Sequence, residues 1–115
     1  MPKVYLVNEP RRNNRGEVLD YSKAFEYGNV VVIFNANEWP KPSKDPQAAM
    51  QHAENILDDI SPGDYILYAG GDAIALAIVA MIADKFLDGD VKFLRWDRFK
   101  DSEDGAYKVI HVLNE

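Results

Sequence analysis

The stretch of this chain best suited to hold a ligand is Gly70-Gly71-Asp72. It follows the apolar run Tyr65-Ile66-Leu67-Tyr68 and precedes a long apolar segment, so two glycines stand between a buried strand and the start of a helix. Without Cβ atoms, backbone N–H groups there can approach a bound group at the positive end of the helix dipole. Asn8 and Glu9 end the first apolar run, and in a flavodoxin-like strand order they face the glycine pair across the point where successive connections diverge. Asn8, Glu9, Gly70, Gly71 and Asp72 are therefore the candidate ligand-binding residues, and a nucleotide or phosphorylated metabolite is the ligand class such a crevice suits. The same residues also fit a plainer arrangement. The glycines then make a tight strand-to-helix turn and Asp72 caps the helix, where its carboxylate opposes a phosphate.

Other chemistry is sparse. Arg11, Arg12 and Arg15 in one polar loop, with Lys41 and Lys44 in another, form a local basic patch if both loops leave the same edge of a sheet. Such a patch suits a phosphorylated ligand or an acidic partner, although solvated loop charges are the commoner case. Trp39, flanked by Pro40 and close to Pro42, is a partner anchor if exposed, whereas Trp96 in a strand reads as core. Arg11, Arg12, Arg15 and Trp39 are the candidate partner-binding residues. His52 and His111 fall in different elements with no carboxylate or second histidine at helical ligand spacing, so no metal site is expected. Ser22, Ser43, Ser61 and Ser102 have no nucleophile-elbow pattern around them, no catalytic residue is named, and no cofactor is implied.

The elements that must position these residues follow from apolar periodicity. Residues 3–7 read as a first strand and residues 8–16 as an exposed, mobile loop. Asp20 caps a short helix through Tyr27, with Ala24 and Phe25 facing inward and Gly28 at its C-terminal stop. Residues 29–34, Asn-Val-Val-Val-Ile-Phe, form a continuous β-branched run, which predicts a strand covered on both faces in a parallel sheet. Two prolines keep residues 35–44 irregular. Asp45-Pro46 starts a second helix with Ala49, Ala53, Ile56, Leu57 and Ile60 at helical spacing, ended by Ser61-Pro62-Gly63. A third strand lies within residues 64–69, and an apolar helix buried on more than one side follows Asp72 as far as about Leu87. A fourth strand covers residues 91–96, with Lys92 and Arg95 seeking solvent, and residues 107–113 form an antiparallel edge strand. The order β-α-β-α-β-α-β-β predicts a single three-layer α/β/α domain over residues 1–115, Rossmann-like or flavodoxin-like. Its sheet has four to five mostly parallel strands and an antiparallel C-terminal edge.

Composition agrees with such a domain. The chain has 115 residues, 47% hydrophobic and 28% charged, which is an ordinary globular balance. It has no cysteine, which excludes disulfides and thiolate metal sites. Its longest apolar stretch, residues 73–83, is well short of the ~20 residues that span a bilayer, so no membrane association is expected and a cytoplasmic location is. A net charge of −6 disfavours nucleic acid and favours basic partners or simple solubility. The apolar helix from residue 73 to 83 has little in so small a domain to cover it completely, which suggests a homodimer through its outer face.

Two resemblances bear on function. An apolar strand ending in Gly70-Gly71-Asp72 resembles the phosphate-binding turn of NAD kinases, diacylglycerol kinases and phosphofructokinases. In those families glycine and a hydroxyl residue follow, whereas Ala73 and Ile74 follow here. This chain also cannot supply their second domain, so their activity is not carried over. At the level of the whole pattern, the chain resembles small uncharacterised proteins of tailed bacteriophages. The resemblance rests on Asp20-Tyr21-Ser22-Lys23-Ala24-Phe25-Glu26-Tyr27-Gly28, on Gly63-Asp64-Tyr65-Ile66-Leu67, and on Ile82-Ala83-Asp84 with Val91-Lys92-Phe93-Leu94-Arg95-Trp96-Asp97. It implies a viral accessory protein in the host cytoplasm and brings no catalytic residues. The leading expectation is therefore a non-enzymatic protein that binds a protein partner, and the alternative is nucleotide or phosphometabolite binding at the carboxyl edge of the sheet.

Overall fold

A computed structural model describes residues 2–9, 22–98 and 105–112 of the chain. The first apolar run forms strand β1 (Lys3–Asn8), and the β-branched run forms β2 (Asn29–Phe34). Helix α1 (Pro46–Leu57), strand β3 (Tyr65–Leu67), helix α2 (Ala73–Leu87) and strands β4 (Val91–Arg98) and β5 (Gly105–Val112) complete the order. The five strands make one sheet in the order β2-β1-β3-β4-β5. β1 pairs in parallel with β2 and β3, β3 pairs in parallel with β4, and β4 and β5 run antiparallel. The α/β class, the mostly parallel sheet and the antiparallel C-terminal edge all match the expectation.

The layers follow from chain direction. The steps from β2 to β3 and from β3 to β4 run the same way across the sheet, so right-handed crossovers put both α-helices on one face. The step from β1 to β2 runs the other way, and the described end of its connection lies on the opposite face. Packing agrees. Ala49, Ala53 and Leu57 of α1 and Ile78, Val79, Ile82 and Ala83 of α2 share one core with Tyr5, Val7, Ile33, Ile66 and Val91. Val4, Leu6, Leu67 and Leu94 pack with Ala24 in a second cluster on the other side. Among the described residues that other face carries a 3-10 helix of five residues, Ser22–Glu26, where the sequence suggested a short α-helix from Asp20. Asp20 lies outside the described residues.

Several local expectations are corrected. Ala24 is buried, but Phe25 is 59% exposed, because a five-residue 3-10 helix has one narrow inner face. β2 is an edge strand; Val30 and Val32 reach one core and Val31 the other, yet all three are only half-buried. α1 stops at Leu57, and Ile60 continues only as a turn whose N–H donates to the Leu57 carbonyl. Trp96 is 40% exposed, since β3 ends at Leu67 opposite Leu94 and two residues further on β5 alone flanks the strand. α2 buries Ala75, Ile78, Val79, Ile82, Ala83 and Leu87 on one side and leaves its other side open. Gly28 is needed where it stands: at φ +155° a Cβ would lie 2.3 Å from the Pro2 carbonyl oxygen.

Two polar groups sit in or beside the core with opposite outcomes. The buried Asp64 carboxylate accepts from the Lys3 N–H at 2.8 Å and from the Ser61 N–H at 2.9 Å, tying the starts of β1 and β3 together. The Tyr5 hydroxyl is buried and has no hydrogen-bond partner among the described residues. Burial, reinforced by the nearby Asp64 and Asp59 carboxylates, pushes its pKa up from 10.0 to about 12. A pKa raised by folding gives stability that is complete below pH 10.0 and is lost as pH rises toward about 12. Tyr5→Phe is expected to preserve or raise stability by about 1 kcal/mol at neutral pH in urea unfolding. It should also remove the Tyr5 share of the alkaline loss between pH 10.0 and about 12.

Candidate functional site

The carboxyl ends of β1 and β2 and the glycine turn between β3 and α2 open into a cavity of about 620 Å³, within the size range of small-molecule sites. It lies where β1 is flanked by β2 on one side and β3 on the other. Asn8, Glu9, Gly71 and Asp72 line it together with Phe34 at the end of β2 and the β2–α1 loop, including Lys41, Ser43 and Lys44. Of the five candidate ligand residues, four therefore face one space, and Gly70 adjoins it.

Their polar atoms hold the site together. The Asn8 side-chain amide donates to the Gly70 carbonyl at 3.2 Å and to the Asp72 carbonyl at 3.3 Å, fixing the strand-to-helix turn to the end of β1. Tyr68 adds a hydroxyl bond to the Gly71 carbonyl at 2.9 Å. Gly71 lies so close to Asn8 that a Cβ would be 2.9 Å from its amide nitrogen, and its φ of +100° already favours glycine. Asp72 is the N-cap of α2, one carboxylate oxygen accepting from the Ile74 N–H at 2.9 Å. The other oxygen accepts from both the N–H and the hydroxyl of Ser43, at 3.1 and 2.7 Å. The plain reading of Gly70-Gly71-Asp72 as turn and cap is thus realised, with a second duty for Asp72 that local sequence does not disclose.

The β2–α1 loop is correspondingly well tied. Glu9 accepts from the Ala36 N–H at 3.0 Å, Pro42 is buried, and the Lys44 and Asp45 N–H groups both donate to the Lys41 carbonyl. Asp45 caps α1 by accepting from the Ala48 N–H at 3.1 Å, and Pro46 occupies the first turn, as the sequence predicts. On this tied loop Trp39 stands 61% exposed, beside the cavity rather than in its wall.

The charges of the cavity wall are mixed. Glu9, Glu38 and Asp72 are opposed by Lys41 and Lys44, and Asn8, Asn35 and Asn37 supply amides. Lys41 and Lys44 do sit at the carboxyl edge, as the basic-patch reading requires; Arg11, Arg12 and Arg15 lie outside the described residues. Sequence reasoning missed Ser43, Phe34 and the three asparagine and glutamate neighbours in the loop. Ser43 and Asp72 are 29 positions apart, and no local pattern links them.

The remaining titratable candidates stand elsewhere. His52 Nε2 meets the Ile33 carbonyl at 2.7 Å and its ring lies against Phe34, so it links α1 to β2. His111 pairs with Asp90 at the opposite, amino edge of the sheet. Among the described residues no group of three or more histidines, aspartates or glutamates is arranged to hold a metal. No helix among them is long and apolar enough to cross a membrane.

Residues 2–112 match the family described as Phage Pam3 gp32-like protein. No curated protein and no solved structure matches the chain.

Because Asp72 both caps α2 and clamps the loop, Asp72→Ala is expected to cost about 1–2 kcal/mol in chemical unfolding. Amide hydrogen exchange at Ser43 should accelerate in the same variant; unchanged exchange there would mean the clamp does not hold the loop in solution.

Proposed function

The chain belongs to the Phage Pam3 gp32-like protein family, and from that premise we propose that it is a phage accessory protein that works by binding a protein partner in the host cytoplasm rather than by catalysis. The observation that carries this reading is Trp39, 61% exposed on a loop anchored through Ser43–Asp72 and Ala36–Glu9. A large exposed aromatic on a pre-organised support is the usual makeup of an interface anchor, since little freedom remains to be lost on binding. The net charge of −6 favours a partner with a basic surface. The polar side chains of the cavity support binding over chemistry as well, because Asn8, Ser43 and Asp72 are engaged in holding the loops.

Trp39→Ala is expected to leave the fold intact and weaken partner binding by about 2 kcal/mol, roughly thirtyfold in Kd. The assay is capture from host lysate on immobilised protein, with Trp39→Phe retaining part of the binding. Recovery of the same proteins by wild type and Trp39→Ala, or of none by either, would remove Trp39 as the anchor.

A second reading, nucleotide or phosphometabolite binding, is favoured by the cavity of about 620 Å³ and by the strand order 2-1-3-4-5. That order supports a Rossmann-like, flavodoxin-like relationship in which ligands lie at the crevice beside the first strand. The Asp72 carboxylate at the α2 N-terminus opposes a phosphate at Gly70 and Gly71, so in this reading the phosphate meets Lys41 and Lys44 instead. A thermal-shift panel of mono-, di- and cyclic nucleotides is then expected to give a rise of several degrees that Lys41→Ala with Lys44→Ala abolishes. No shift with any nucleotide would dismiss this reading.

A further inference from the structure

The β2–α1 loop that lines the cavity at the carboxyl edge is tied at two points. The Ala36 N–H donates to the Glu9 carboxylate at the end of β1, and the Ser43 N–H and hydroxyl donate to Asp72 at the start of α2. These ties sort the charges of the cavity. Glu38 follows close on Ala36, so it belongs to the tie that Glu9 makes. Lys41 and Lys44 stand on either side of Ser43 at the other tie, where the Asp72 carboxylate is taken up by Ser43 and the Ile74 N–H. Both glutamates and both lysines line the cavity, and among the described residues neither lysine is ion-paired with either glutamate. Opposite charges that share a cavity without pairing leave an acidic end and a basic end to be satisfied from outside. Asn35 and Asn37 line the same cavity, and no hydrogen bond to another described residue takes up either side-chain amide.

We propose that the cavity holds a short free peptide, with its ammonium end at Glu9 and Glu38 and its carboxylate end at Lys41 and Lys44. A side-chain amide offers both donors and an acceptor, which is what a peptide group requires of its surroundings, so Asn35 and Asn37 suit the peptide bonds between the two ends. A volume of about 620 Å³ holds roughly two to four residues, more than one free amino acid fills. Phe34 and the buried Pro42 supply apolar wall for a small side chain. Other ligands answer less of this wall. A nucleotide satisfies the lysines but brings its phosphates into a space that also holds two unpaired glutamates. A neutral ligand satisfies neither end, and the interior of a partner's chain carries no terminal charges. The proposal goes beyond the nucleotide reading of the same cavity, and it does not draw on Trp39, which stands outside the wall.

The test is isothermal titration calorimetry of the full chain with trialanine and with its N-acetylated, C-amidated and doubly blocked forms. Trialanine is expected to bind with a Kd on the order of 0.1 mM. Blocking either end should weaken binding roughly tenfold, because each block removes one ligand charge from its counter-charge. Charge variants assign the ends. Lys41→Gln with Lys44→Gln should remove the penalty for C-amidation and keep the penalty for N-acetylation. Glu9→Gln with Glu38→Gln should do the reverse, and the new amide at position 9 still offers the Ala36 N–H an acceptor. Binding of adenosine monophosphate, where it occurs, responds to loss of the lysines and not to loss of the glutamates, which keeps the nucleotide reading distinct. No heat with trialanine, equal affinity for the doubly blocked form, or tighter binding of adenosine monophosphate than of the free peptide would overturn the proposal.

Discussion

Strand β1 is enclosed in every direction. Val4, Tyr5, Leu6 and Val7 are all essentially inaccessible, β2 and β3 pair with both of its edges, and separate clusters pack on its two faces. A short strand held this way dictates where the remaining chain can go. The next strand is laid down on one side of β1 and all later strands on the other, so Ser22–Glu26 ahead of β2 and the two α-helices ahead of β3 and β4 lie on opposite faces. The cavity beside Asn8 and Glu9 is a geometric result of that divergence.

At the mouth of this crevice, competition for one carboxylate decides the chemistry. A helix N-terminus preceded by two glycines is an anion site only while its positive end is uncompensated. Asp72 compensates it from within the chain and uses its second oxygen to hold Ser43. The same bonds that make the β2–α1 loop a firm wall therefore diminish the attraction of the glycine turn for phosphate. What remains is a cavity walled by amides, carboxylates and two lysines, with an exposed tryptophan beside it.

Asn8 shows how closely support and site are joined here. Its amide bridges two carbonyls of the glycine turn, and the missing Cβ of Gly71 leaves the room that bridge needs. Asp64 plays the equivalent part at the amino edge, where it ties β1 to the turn before β3. Polar side chains thus pin both ends of β1, and the apolar residues between them supply the bulk of its burial.

Local pattern was enough to read most elements. Continuous β-branched residues at 29–34, the Asp45-Pro46 start of α1 and the Asp72 cap of α2 are encoded within a few neighbouring positions, where propensity, capping and periodicity act. The same holds for the candidate site as far as Asn8, Glu9, Gly71 and Asp72, because a strand end and a glycine turn before a helix are local features. Long-range geometry decided the rest. Strand order made β2 an edge, the shortness of β3 left Trp96 half in solvent, and crossover handedness put both α-helices on one face. The Ser43–Asp72 clamp and the exposure of Trp39 came with them. Such contacts join segments separated by tens of residues, and their free energy depends on which surfaces meet, a quantity that no short window of sequence contains.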